Sequence, residues 1–168
     1  MIEPVFVDSN VLLYVDDATD PHKQARAREW ITHLWEFGLG RLSVQVLSEY
    51  YANAHKFGVP KEKAWETVGA LLSWQPRPID EALLREAREI EKNHRLSWWD
   101  SMIVAAAQLE QCRVLLTEDL QDGTAIGSII VRSPFTLKVE QPAAPYEARP
   151  GLALLHRPRG RPRRIAIA

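Results

Sequence analysis

Hydrophobic positions along the chain follow two rhythms. Short unbroken apolar runs stand at Val5-Phe6-Val7, within Arg113–Thr117, and at Ile129-Ile130-Val131, and they read as buried strands. Between them apolar residues recur every three or four positions. Val44, Leu47, Tyr51 and Ala54 predict a helix to about Lys56. Leu83, Ala87 and Ile90 predict one that starts behind Asp80, with Glu81 and Arg85 paired on its surface. Trp99, Met102, Ile103 and Ala106 predict one to about Gln111. Ser9–Val15 reads as a short helix. Asp20 with Pro21 marks the start of another, which Gly38 and Gly40 stop after about Phe37. Gly58-Val59-Pro60 breaks the pattern and begins a helix to about Ser73. Pro76 and Pro78 predict extended chain over 75–78, and Arg41-Leu42-Ser43 fits a second small strand. Strands alternating with helices predict an α/β fold whose mainly parallel sheet is covered on both faces.

The composition supports one domain with a real core: 168 residues, 46 % hydrophobic and 26 % charged. The single cysteine, Cys112, excludes a disulfide framework and a cysteine-rich zinc site. The texture changes near Glu140, beyond which Pro142, Pro145, Pro150, Pro158 and Pro162 interrupt a segment with few large apolar side chains. The predicted organisation is a domain over 1–139 and a flexible Pro/Arg-rich tail over 140–168. The formal charge of −1 hides a split. Residues 1–140 carry 15 Lys and Arg against 21 Asp and Glu, whereas residues 141–168 carry six Arg against Glu147. The N-terminal residues lack the charge and apolar run of a signal peptide, and no stretch approaches the ~18 apolar residues of a membrane span. The expected location is a reducing cytoplasm, with no membrane partner.

Open parallel sheets bind ligands at the carboxyl ends of their strands, and acidic residues gather there. Asp8 ends the first strand. Asp119 and Asp122 follow the strand that ends at Thr117, and Asp100 opens the helix before it. Glu49 shares a polar helix stripe with Gln45 and Asn53. Each residue has a plainer reading. Asp8 fits a helix cap, Ser97-x-x-Asp100 fits a capping box, Asp119 fits a turn, and Glu49 fits a solvated helix face. As a group they point elsewhere, because like charges packed closely repel unless a cation lies among them. Carboxylate oxygens are the donors that Mg²⁺ or Mn²⁺ prefers. His22, His33, His55 and His94 show no metal-ligand spacing.

Four segments resemble the motifs of PIN-domain ribonucleases. They are Val5-Phe6-Val7-Asp8-Ser9-Asn10-Val11-Leu12, Leu47-Ser48-Glu49-Tyr50-Tyr51, Trp98–Ala107 with Asp100, and Leu115-Leu116-Thr117-Glu118-Asp119-Leu120-Gln121-Asp122-Gly123. The resemblance covers about residues 1–139, and the length is similar to that of VapC-type toxins of bacterial toxin–antitoxin pairs. It implies a PIN-like α/β/α sandwich with a central, mainly parallel sheet flanked by helices. It also implies that Asp8, Glu49, Asp100 and Asp119 surround one or two Mg²⁺ or Mn²⁺ ions, with Asp122 as an additional ligand or water holder. Ser9 and Thr117 would aim the carboxylates, although Thr117 also fits an ordinary strand residue. The implied reaction is hydrolysis of RNA phosphodiester bonds, and the implied partners are a second copy of the chain and a small antitoxin.

An acidic body that acts on RNA still needs basic contacts to phosphate. Arg41, Arg95, Lys56 and Arg113 are candidates by position, alongside their plainer role as solvated surface. Most of the six tryptophans read as core or dimer contacts. Trp98, beside Asp100, is the one set against base stacking as well as packing. In the tail, Pro158-Arg159-Gly160-Arg161-Pro162 reads like the core of an AT-hook, in which Arg159 and Arg161 would lie in a DNA minor groove. The alternative to an enzyme is therefore a non-catalytic nucleic-acid-binding module that uses this tail. An aspartyl-phosphate phosphatase fits less well, since Asn10 stands where it would need a second Asp.

Overall fold

The computed structural model describes residues 3–139; the tail, with Arg159 and Arg161, lies outside the described residues. Its elements are β1 (Val5–Val7), α1 (Ser9–Asp16), α2 (Pro21–Glu36), β2 (Gly40–Arg41), α3 (Val44–Asn53), α4 (Lys61–Leu71), α5 (Glu81–His94), α6 (Trp98–Leu109), β3 (Val114–Leu116), β4 (Ala125–Ile126) and β5 (Ile129–Arg132). Short 3₁₀ turns over Ala54–Phe57 and Leu72–Trp74 follow α3 and α4. The sheet order is β2-β1-β3-β5-β4. Strands β2, β1, β3 and β5 run parallel, and β4 pairs antiparallel with β5. Phe6, Val7, Leu115, Leu116 and Val131 are fully buried, which explains strands without polar alternation.

Caps fix the helix starts where side-chain chemistry predicts them. Asp20 accepts a hydrogen bond from the Lys23 N–H (3.1 Å), and Asp80 accepts one from Leu83 (2.9 Å). The second strand is shifted to Gly40–Arg41, because Ser43 is taken as the cap of α3 and accepts from the Val46 N–H. Gly40 has a packing reason, since a Cβ there would run into the ring of Trp74. The extended chain after α4 begins later than expected. Gln75 closes the 3₁₀ turn in the left-handed region (φ 53°), and the chain straightens around Arg77, which bridges to Ser43. Helix α6 starts one residue early, at Trp98, and ends at Leu109. Strand β4 is not predicted by the apolar runs. It is two residues long and depends on a Gly127-Ser128 turn with Gly127 at φ 58°.

The tryptophans divide between core and surface. Trp30 is buried, whereas Trp35, Trp65 and Trp99 are exposed. Trp35 packs against Trp74, with ring centroids 5.8 Å apart, and Trp65 packs against Tyr51 at 5.6 Å. The Trp30 indole N–H donates to the carbonyls of Pro134 (3.1 Å) and Leu137 (3.2 Å), which fastens the chain after β5 to α2. Replacing Trp30 with Phe keeps most of the apolar contact and leaves those carbonyls without this donor. The expected cost is about 1–2 kcal/mol, read as a lower urea midpoint with an unchanged slope.

Candidate functional site

The parallel register of β1 and β3 sets Val7 beside Leu116, so Asp8 and Thr117 leave the sheet next to each other. The Asp8 N–H donates to the Leu116 carbonyl at 3.1 Å, which continues the ladder one residue beyond the strand. Asp8 is completely buried and caps α1. Its Oδ1 accepts from the Ser9 N–H at 2.7 Å, and its Oδ2 accepts from the Thr117 hydroxyl at 2.8 Å and the Asn10 amide at 3.2 Å. A buried carboxylate needs such donors, and the neighbouring strand supplies one of them. The same Thr117 oxygen accepts from Asn10 (2.9 Å) and from the Asp119 N–H (3.1 Å). Thr117 therefore joins Asp8 to the turn that carries Asp119, and its hydroxyl does more than a plain strand residue requires.

Ser9 makes the link to α3. Its hydroxyl donates to Glu49 Oε2 at 2.8 Å and lies 3.5 Å from Asp8 Oδ1. Glu49 Oε1 accepts from Gln45 Nε2 at 2.8 Å, and Gln45 is itself buried, so this polar stripe is not a solvated face. Burial pushes the Glu49 carboxyl above its ordinary range. The hydrogen bonds from Gln45 and Ser9 oppose that rise, and the charge of Asp119 adds to it. Asp100 is buried in the first turn of α6. There Ser97 Oγ accepts from the Asp100 N–H (3.1 Å), as the capping spacing predicts, and also donates to the Asp100 carboxylate (2.7 Å). Gln45 Nε2 also reaches the Trp99 carbonyl at 3.3 Å, which ties Glu49 to the helix that carries Asp100.

Asn10, Gln45 and Glu118 carry roles that motif reading passes over. Asn10 Oδ1 accepts the Glu118 N–H at 3.3 Å. The Glu118 carboxylate accepts from the Tyr14 hydroxyl and the Lys23 ammonium, so the residue between Thr117 and Asp119 is held from α1 and α2. The Tyr14 hydroxyl is pushed well above its ordinary range, first by burial, then by the hydrogen bond to Glu118 and the charges of Glu118, Asp119 and Asp17. The signal in the sequence was positional: Gln45 stands one turn before Glu49, and Asn10 stands two residues after Asp8.

Other predicted residues lie elsewhere. Asp122 fastens the chain after β5: Oδ1 accepts from the Ser133 N–H (2.9 Å) and Arg132 (3.1 Å), and Oδ2 accepts from the Thr136 hydroxyl (2.8 Å). Both of its oxygens serve that tie. Arg41 donates to the carbonyls of Gly38 and Gly40, and its charge acts on Cys112, which precedes β3. Arg113 pairs with Glu3. Arg113 thus stands just before β3, whereas Arg41 is the last residue of β2 and its guanidinium reaches back to the carbonyls around that strand's start. Arg95 is exposed at the left-handed end of α5 (φ 53°). Trp98 is half-buried and packs on the core, while Trp99 is the exposed ring beside Asp100.

The donor set of Asp8, Glu49, Asp100 and Asp119 is all hard oxygen, and it fits the chemistry of Mg²⁺ or Mn²⁺. Gln45 Oε1 adds an enclosed acceptor with no hydrogen-bond donor among the described residues. Among the described residues, no three His, Cys, Asp or Glu side chains converge into a ready cage for an ion. The acidic residues are instead linked through Ser9, Thr117 and Gln45.

The raised Glu49 carboxyl makes a stability prediction. Between the ordinary glutamate value of 4.5 and its raised value, the folded chain holds this proton more often than the unfolded chain. Its contribution is fully present below 4.5 and is lost as pH rises through the raised value. In chelator, wild type should therefore lose stability relative to Glu49→Gln as pH rises from 4.5, read as diverging melting temperatures. Parallel curves would show that Glu49 carries no such penalty.

Comparison with known proteins agrees with this architecture. No curated protein matches the chain. Among solved structures, a toxin–antitoxin complex from Klebsiella pneumoniae superposes with a TM-score of 0.58 at 19 % identity, over 77 % of this chain and 97 % of that one. VapBC2 from Rickettsia felis, bound to a DNA fragment from its promoter, gives 0.55 at 16 % identity over 79 % and 98 %. VapC20 of Mycobacterium tuberculosis, a toxin that cleaves the sarcin-ricin loop, gives 0.51 at 20 % identity over 66 % and 86 %. The sequence pattern of the PIN domain matches residues 5–121, a span that holds Asp8, Glu49, Asp100 and Asp119. With that match over most of its length and an α/β fold of the same kind, the chain belongs to the PIN domain family.

Proposed function

We propose that this protein is a Mg²⁺- or Mn²⁺-dependent endoribonuclease and the toxin of a toxin–antitoxin pair, acting in the cytoplasm. The observation that carries the reading is the linked acidic edge. Ser9 joins Asp8 to Glu49, Thr117 joins Asp8 to the Asp119 turn, and Gln45 joins Glu49 to the Asp100 helix. Membership of the PIN family and the likeness to toxins, one of which cleaves an RNA loop, support the same substrate class. The partners that follow are a small antitoxin and a second copy of the chain.

In this reading Asp8, Glu49, Asp100 and Asp119 hold the cation. When bound, it lowers the pKa of a coordinated water and stabilises charge that builds on the scissile phosphate. Asp100 or Asp119 orients the attacking water. Ser9 and Thr117 hold the carboxylates in place, and Glu118, fixed by Tyr14 and Lys23, keeps the Asp119 turn from drifting. Trp99 is exposed one residue before Asp100, where its ring is available to an unpaired base.

Full-length protein should cleave structured RNA with Mn²⁺ or Mg²⁺ and stop on chelation. Asp8→Asn and Asp100→Asn should each lower the rate by about 100-fold or more, with the far-ultraviolet circular dichroism of the folded chain retained. Cleavage that persists in both would refute the site.

The six arginines of residues 141–168 offer phosphate contacts beyond those of the acidic body. Removing residues 141–168 should flatten the salt dependence of RNA binding and leave the saturated cleavage rate unchanged. An unchanged slope would mean that the tail takes no part.

A further inference from the structure

Many cations of the body pair within one helix, as Arg85 does with Glu81 and Lys63 with Glu66. Lys23 is used differently. From α2 its ammonium crosses to Glu118, in the turn that carries Asp119. It also lies 3.5 Å from the Tyr14 hydroxyl oxygen, and it stands over the rings of Tyr14 (4.8 Å to the centroid) and Phe135 (5.0 Å). Those rings pack edge to face at 5.2 Å. Groups from α1 and from the segments after β3 and β5 thus fix the place of one charge. That place is beside the acidic edge. Asp119 is near enough for its charge to act on the Tyr14 hydroxyl. Tyr14 stands roughly 6 Å along α1 from Asn10, whose amide donates to Asp8.

The held charge also has room for a ligand. An ammonium carries three N–H donors, and Glu118 and Tyr14 offer two acceptors among the described residues. The Lys23 side chain keeps 31 % of its surface exposed, which leaves a donor for a group arriving from solvent. We propose that Lys23 is a substrate-binding residue of the acidic edge: one N–H holds Glu118, and another is offered to a backbone phosphate of the RNA beside the scissile one. The inference rests on the RNA reading proposed above and deepens it. Lysine binds phosphate as a point charge, and a strand that approaches an acidic edge needs a cation flanking it. Because two rings and a carboxylate already hold the ammonium, little of its rotamer freedom is left to lose when phosphate arrives.

The test is binding of a fluorescently labelled single-stranded RNA to the full chain in chelator, followed by anisotropy over a range of KCl. Lys23→Gln should weaken binding alike for different RNA sequences. It should also reduce the slope of log affinity against log salt by about 1, the signature of one lost phosphate contact. Lys23→Arg should keep the wild-type slope. So should Arg85→Gln, which breaks an exposed pair near the start of α5. Lys23→Gln also uncovers the Glu118 charge, which repels RNA by itself, so the double variant with Glu118→Gln decides between the two causes. Its slope should stay reduced. Recovery of the wild-type slope in the double variant would overturn the inference, and so would a wild-type slope in Lys23→Gln alone. Loss of the folded circular dichroism in both Lys23→Gln and Lys23→Arg would do the same, because Lys23 would then be a structural tie. Wild type that does not bind RNA would instead overturn the RNA reading, and this inference with it.

Discussion

The hydrogen bond from Thr117 to Asp8 is the contact on which the acidic edge depends. It crosses between β1 and β3, two central strands of the sheet, one residue past their last paired positions. Parallel pairing makes it possible, since both strands end at the same edge. A slip of one residue would turn Thr117 away from that edge and leave Asp8 buried without one of its donors. Strand register and carboxylate chemistry are therefore one constraint. Strands only three residues long can hold it because their side chains are sealed in the core from both faces.

Outward from that contact, each further carboxylate is attached by a different element. Ser9, the first residue of α1, reaches Glu49 on α3, and Gln45 on α3 reaches the backbone of α6 beside Asp100. Glu118 is drawn toward α2 by Lys23. The acidic groups stand on separate helices and turns, so their spacing is set by helix packing against the sheet. Burial works against them, as the raised Glu49 carboxyl shows, with the Asp119 charge adding to the penalty. A fold optimised for stability alone would have no use for such buried acidic groups at one edge.

Much of this was legible in the sequence, and the part that was not has a physical reason. Apolar runs located β1, β3 and β5, and helical periods located α3, α5 and α6, because burial imposes those patterns directly; caps and Gly/Pro breaks marked α2 and α4. Strand β4 escaped because a two-residue strand has no period; a glycine turn makes it. Asp8, Asp100 and Asp119 stood out from their positions after strands and in a helix first turn, and Glu49 from its polar stripe with Gln45 and Asn53. The roles of Asn10, Gln45 and Glu118 depend on where long polar side chains reach in space, and spacing along the chain does not encode that. Asp122 stands three residues past Asp119, and spacing alone does not tell that its carboxylate accepts from Arg132, Ser133 and Thr136. Trp98 and Trp99 were separated only by the start of α6, which turned the first ring toward the core and left the second outside.

Capping and site-building, which a sequence reading sets against each other, are the same act in this protein. Asp8 caps α1 and Asp100 lies in the first turn of α6, so two of the buried acidic groups stand at helix amino termini. Backbone N–H groups there are unpaired within the helix and carry partial positive charge. They supply hydrogen bonds that a buried carboxylate would otherwise take from water, as the Ser9 N–H does for Asp8. Helix starts are therefore where a fold can gather buried acids with the least penalty. A cap that is also fully buried, and also bonded to a hydroxyl on a neighbouring strand, is more than a helix start needs. Full burial and the hydroxyl from a neighbouring strand separate Asp8 from Asp20 and Asp80, which cap α2 and α5 while only half-buried.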